Sequence, residues 1–96
     1  MARDTILVVE DDRAILQGVE DALAFHGFAT LHATDGRAGL ELALSGDYDL
    51  LLLDLVLPRG DGLDILARLR EVRPTVPVII LTARGDEGDR VRGLEL

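Results

Sequence analysis

The sequence predicts an α/β fold, a doubly wound parallel sheet with its strands in the order 2-1-3-4-(5), the fifth strand and fifth helix being missing. Three observations predict it. Short continuous apolar runs alternate with amphipathic stretches along all 96 residues. The runs are rich in Leu, Val and Ile without polar alternation, as parallel strands covered on both faces require. The stretches between them are long enough for the right-handed helical crossovers that join parallel strands.

Ile6-Leu7-Val8-Val9 is the first such run. It passes into Glu10-Asp11-Asp12, where the Asp12 carboxylate is placed to cap a helix. Ile15, Val19, Ala22 and Leu23 then fall on one helical face. Gly27 stops that helix, because glycine takes the left-handed C-terminal position without strain. Phe28 to Ala33 reads as a second strand, more polar and suited to a sheet edge. Thr34-Asp35-Gly36 opens a second helix that runs to about Ser45. Leu50-Leu51-Leu52-Leu53, bracketed by Asp49 and Asp54, is the strongest strand signal.

Pro58, Gly60 and Gly62 make the segment from Leu55 to Gly62 a loop. A third helix follows to Arg73 and presents Ile65, Leu66, Leu69 and Val72 inward. Pro74 and Pro77 bracket a turn before a fourth strand, Val78-Ile79-Ile80-Leu81-Thr82. A polar loop then leads to a fourth helix from Val91. The helical pattern is still uncapped at Leu96, so the expectation is one domain, residues 1–96, cut short within or after that helix.

Composition narrows the function. The formal net charge of −8 opposes direct binding to nucleic acid, which needs a basic surface. There is no cysteine, which excludes disulfides and thiolate metal sites and allows a reducing compartment. No apolar run approaches the ~20 residues that span a bilayer. The first residues lack a signal-peptide core. The expectation is a cytoplasmic protein without a membrane role. All ten basic residues are arginines.

In doubly wound sheets, ligands collect beyond the carboxyl ends of the strands where the order reverses, here between strands 1 and 3. Glu10 and Asp11 close strand 1, and Asp54 closes strand 3. Two such charges ~4 Å apart cost about 4 kcal/mol at an effective dielectric near 20. A cation relieves that cost. An all-oxygen donor set, with no Cys or His at these tips, suggests Mg²⁺. Mg²⁺ held by carboxylates keeps positions open for phosphate oxygens, which points to phosphoryl transfer. A carboxylate can itself be the nucleophile, giving an aspartyl phosphate. Asp54 is the candidate, at the tip of the most buried strand. The Thr82 hydroxyl, ending the neighbouring strand, can reach a phosphate oxygen. The Val56 backbone carbonyl can face the metal.

Three blocks now carry a resemblance: Ile6 to Asp12, Asp54-Leu55-Val56-Leu57-Pro58-Arg59-Gly60-Asp61-Gly62, and Val78-Ile79-Ile80-Leu81-Thr82-Ala83. In order and spacing they resemble the signature blocks of response-regulator receiver domains, the flavodoxin/CheY-like fold. The segment from Leu81 to Leu96 looks most like the OmpR/PhoB-type transcriptional regulators. The resemblance implies that Glu10, Asp11, Asp54 and the Val56 carbonyl bind Mg²⁺. It implies that Asp54 accepts phosphate from a sensor histidine kinase and that Thr82 reports the phosphoryl group. Val56 and Arg84 would occupy variable positions that tune the phosphate's lifetime. It further implies a signalling domain rather than an enzyme, a homodimer face on the fourth helix, and DNA contact only through a separate output domain. The family's fifth strand, with its Lys-Pro pair and aromatic switch residue, and its fifth helix are missing from these 96 residues.

Plainer readings stand beside these. Asp12 serves the first helix as a cap. Pro58 and Gly62 shape the loop whatever its function. Arg84 reads first as a solvated loop charge. His26 and His32 lie away from the strand tips and are not candidate ligands. An aspartyl-phosphate hydrolase of the haloacid-dehalogenase kind would need a second Asp where Val56 stands. A dinucleotide-binding enzyme would need a Gly-rich turn where Glu10-Asp11-Asp12 stands. The alternative function is a receiver-like interaction module that acts without phosphorylation.

Overall fold

A computed structural model describes residues 3–81. Seven elements follow one another: β1 (Thr5–Val9), α1 (Arg13–Phe25), β2 (Ala29–Ala33), α2 (Gly36–Ser45), β3 (Leu50–Leu53), α3 (Gly62–Val72) and β4 (Val78–Ile80). The strands form one parallel sheet in the order β2-β1-β3-β4, so the chain has the CheY-like flavodoxin fold, with no fifth strand among the described residues. Thr82, Arg84 and the expected fourth helix lie outside the described residues.

Each described helix starts the same way. Asp12 accepts from the amides of Ala14 and Ile15 at 2.9 and 3.1 Å. Asp35 accepts from Ala38 at 2.8 Å, and Asp61 from Leu63 at 2.9 Å. A carboxylate satisfies amide donors that have no partner inside the helix and suits the positive end of its dipole. Gly27 ends α1 at a φ of 90°, as its sequence position requires.

The sheet carries two cores. Leu7, Val9, Leu51 and Leu53 pack with Ile65, Leu66 and Leu69 of α3, Ala43 of α2 and Tyr48. Ile6, Val8 and Leu52 face the other way, against Leu16, Val19 and Leu23 of α1. The period-two alternation of each strand makes this division.

Two inward faces differ from expectation. In α1 the inward stripe is the buried Leu16 with the partly buried Val19 and Leu23; Ile15 is 37% exposed and Ala22 is exposed. Positions 16, 19 and 23 fall within an arc of about 60° on the helix, and Ile15 lies beyond its edge, a step of about 100° from Leu16. In α3, Val72 is 59% exposed. Its inward place is taken by Arg73, whose Nη1 donates to the carbonyls of Ala43 and Gly46 and whose guanidinium stacks 5.0 Å from the Tyr48 ring. Arg73 thereby serves the carbonyls at the end of α2, which have no amide partner within that helix.

Candidate functional site

The site forms where β1 and β3 end. Val9 pairs with Leu53, and the ladder runs one step further, with the Asp54 amide donating to the Val9 carbonyl at 2.9 Å. Glu10 extends the other side by donating to the Ala33 carbonyl at 3.1 Å. Alternation then assigns Glu10 to the row of Ile6 and Val8, and Asp54 to the row of Leu50 and Leu52. Those rows share a face on adjacent strands about 4.8 Å apart. Register and pleat therefore suffice to bring the two carboxylates together.

Glu10, Asp11 and Asp54 each offer an oxygen, and these oxygens lie within 4.8 Å of one another. Glu10 is 3% exposed and Asp54 is 1% exposed, while Asp11 is half-buried. Burial pushes the Glu10 carboxyl up to about 7. The Asp12 amide, donating to Glu10 Oε2 at 3.0 Å, opposes that shift, and the carboxylates of Asp54 and Asp11 add to it. Asp54 Oδ1 accepts from the Val56 amide at 3.0 Å. The Val56 side chain points into solvent at 51% exposure.

Hard oxygen donors from three acids, two of them buried, suit a small divalent cation. Their mutual repulsion is what such an ion would relieve. The donor set therefore fits Mg²⁺. Of the residues singled out in the sequence, Glu10, Asp11 and Asp54 meet in one cluster, and Val56 adjoins it through its backbone. Thr82 lies outside the described residues. His32 Nδ1 is 3.1 Å from Glu20 Oε2, which also accepts from Thr30, on the edge strand away from the acids.

The reading of the sequence missed how the loop after Asp54 is held. Leu57 is buried in the core at 9% exposure. The Pro58 carbonyl accepts from the Gly36 amide, at the start of α2, at 2.8 Å. The Gly62 amide donates to the Leu55 carbonyl at 3.1 Å, and a Cβ on Gly62 would stand 2.5 Å from the Asp54 carbonyl oxygen. In the sequence Gly62 signals only a turn and Gly36 only the start of a helix.

Comparisons with known proteins agree with this geometry. Residues 6–96 match the family model described as the response regulator receiver domain. The transcriptional regulatory protein DltR of Streptococcus agalactiae is 45% identical over 91 residues, covering 95% of this chain and 41% of that protein. The transcriptional regulatory protein CpxR of Escherichia coli is 48% identical over 91 residues, covering 95% of this chain and 38% of that protein. The chain thus spans about two fifths of the length of these relatives. Among solved structures, the receiver domain of the sensor histidine kinase PA1611 from Pseudomonas aeruginosa superposes with a TM-score of 0.86 at 32% identity. The match covers 98% of this chain and 79% of that one, which is described with a magnesium ion coordinated in its active-site cleft. No described helix is long and apolar enough to cross a membrane.

Proposed function

The chain belongs to the response regulator receiver domain family, and from that premise we propose that it accepts a phosphoryl group on Asp54 from a sensor histidine kinase. The observation that carries the reading is the convergence of Glu10, Asp11 and Asp54. In this reading a carboxylate oxygen of Asp54 attacks phosphorus, the bond from phosphorus to the donor histidine breaks, and that nitrogen keeps the electron pair. Glu10, Asp11, Asp54 and the Val56 carbonyl hold Mg²⁺, which when bound offsets the charge of the incoming phosphoryl oxygens. The Val56 amide orients Asp54 through its bond to Oδ1. Thr82 supplies the hydroxyl that senses the phosphoryl group.

On the same reading the domain is a cytoplasmic signalling module, not an enzyme acting on a separate substrate. Residues 1–96 belong to one receiver domain, which on this reading also pairs with a second copy of itself. Control of transcription passes through an output domain beyond the receiver. The relatives named as transcriptional regulatory proteins support that assignment.

The test uses the full-length protein, a small phosphodonor and Mg²⁺, read by intact mass. One phosphoryl group is added to the unaltered protein and none to Asp54→Ala. Labelling that survives the substitution moves the acceptor elsewhere, and no labelling of either protein favours an interaction module without phosphorylation.

A further inference from the structure

The loop after Asp54 has a middle, Pro58 to Gly60, that leaves the ordinary backbone regions: Arg59 has a φ of 54° and Gly60 a φ of 150°. A non-glycine residue in the left-handed region is uncommon, so something outside the loop must favour this shape. That neighbour is the first turn of α2. Besides the bond from the Gly36 amide to the Pro58 carbonyl, the two backbones touch without side chains between them. A Cβ on Gly36 would lie 2.6 Å from Gly60 Cα and 2.9 Å from the Arg59 carbonyl oxygen. A Cβ on Gly60 would lie 2.9 Å from Gly36 Cα. The ion pair from Arg59 to Asp35, at 3.6 Å with Arg59 78% exposed, adds little.

One helical turn on, Gly39 is seated against Val9, with its missing Cβ only 2.7 Å from Val9 Cγ1. Val9 is the last residue of β1, immediately before Glu10. The edge of α2 that carries Gly36 and Gly39 therefore touches both halves of the site, the end of β1 and the loop that follows Asp54.

We propose that this glycine edge of α2 is the positioning element of the site, setting the loop against the end of β1 so that Val56 meets Asp54 and the metal. The proposal rests on the assignment of Asp54 and its neighbours made above. A methyl group at Gly36 meets backbone, which cannot rotate aside, and the close seat of Gly39 against Val9 leaves α2 no room to shift further onto the end of β1. The loop must move. Leu57 is anchored in the core between Val56 and Pro58, so displacement at Pro58 to Gly60 pivots about Leu57 and carries Val56 away from Asp54.

The experiment compares the full-length protein with Gly36→Ala and with Leu69→Val, a core change in α3 away from the loop. Mg²⁺ affinity is read by calorimetric titration and the Val56 amide by NMR. Gly36→Ala weakens Mg²⁺ binding about 10-fold or more, the range seen when outer supports of a metal site are lost, and shifts the Val56 amide signal. Leu69→Val lowers the melting temperature but leaves the affinity unchanged. A folded Gly36→Ala protein with unaltered Mg²⁺ affinity overturns the proposal. If that variant does not fold, hydrogen exchange in the unaltered protein decides. Mg²⁺ slows the Gly36 and Val56 amides together, and a Gly36 amide indifferent to Mg²⁺ while Val56 responds overturns it. An unaltered protein that binds no Mg²⁺ removes the site assignment itself, and this proposal with it.

Discussion

On the side of the sheet covered by α2 and α3, the described core holds eleven buried residues, Leu7 to Leu69; on the side covered by α1 it holds four, Ile6, Val8, Leu16 and Leu52. The strands contribute five of these residues to the first side and three to the second. The greater part of the inequality comes from what lies on top. Two helices, Tyr48 and the loop residue Leu57 close one side, whereas on the other, among the described helices, α1 packs over β1 and β2. The α1 side is also where the strand rows end in Glu10 and Asp54 rather than in further apolar residues. Among the described residues, one side of the sheet is the more fully packed, and on the other the strand rows end in charge.

Truncations on the two sides test this most directly. Leu69→Ala removes a side chain with no exposed surface and lowers unfolding stability by about 4 kcal/mol, whereas Leu16→Ala costs about 2 kcal/mol because water reaches its partly covered neighbours. Urea midpoints of the two variants measure the gap, and equal losses would erase the distinction.

The acidic row offers a second probe, through pH. The Glu10 carboxyl is raised to about 7 in the folded chain from its ordinary 4.5, so the folded state holds that proton more tightly than the unfolded state does. Its contribution to stability is complete below 4.5 and is lost as pH rises through about 7. In chelator, the urea midpoint therefore falls between pH 5 and pH 8. Glu10→Gln removes the greater part of that fall, about 2 kcal/mol. A variant that falls as steeply as the unaltered chain would show that Glu10 is not the group responsible.

The smallest effect is expected at the far end of the better-packed side. Arg73→Met keeps the bulk over Tyr48 but loses the bonds to the Ala43 and Gly46 carbonyls, at a cost of about 1 kcal/mol. Mg²⁺ binding should not change, since Arg73 lies at the opposite end of α2 from Gly36. A change in affinity there would mean that α2 transmits strain along its length.

Much of this architecture was legible before any coordinates. The leucine run of β3 and the Ile-Leu-Val-Val run of β1 are readable because parallel strands buried on both sides leave no polar positions to blur the signal. Asp12 and Asp35 are readable as helix starts because capping is local chemistry. The expectation that Glu10 and Asp54 share a crevice followed from the strand order of a doubly wound sheet. What could not be read depends on distant partners. Choosing Leu16 over Ile15 requires knowing how α1 is rotated on the sheet. Val72 fits the inward stripe of α3 until Arg73 reaches across to α2. The approach of Gly36 to Gly60 joins residues far apart in sequence, where Gly36 alone signals a helix start and Gly60 a turn.

The three capping aspartates carry one more consequence. Because α1, α2 and α3 all follow strands that run the same way, Asp12, Asp35 and Asp61 stand along the same rim as Glu10, Asp11 and Asp54. The capping carboxylates spend their charge on helix amides, yet together the six acids bias the local potential toward attracting small cations and repelling anions, over a reach of about 8 Å at physiological ionic strength. An anionic group near that rim would meet repulsion from these carboxylates, and a cation held among them would lessen it.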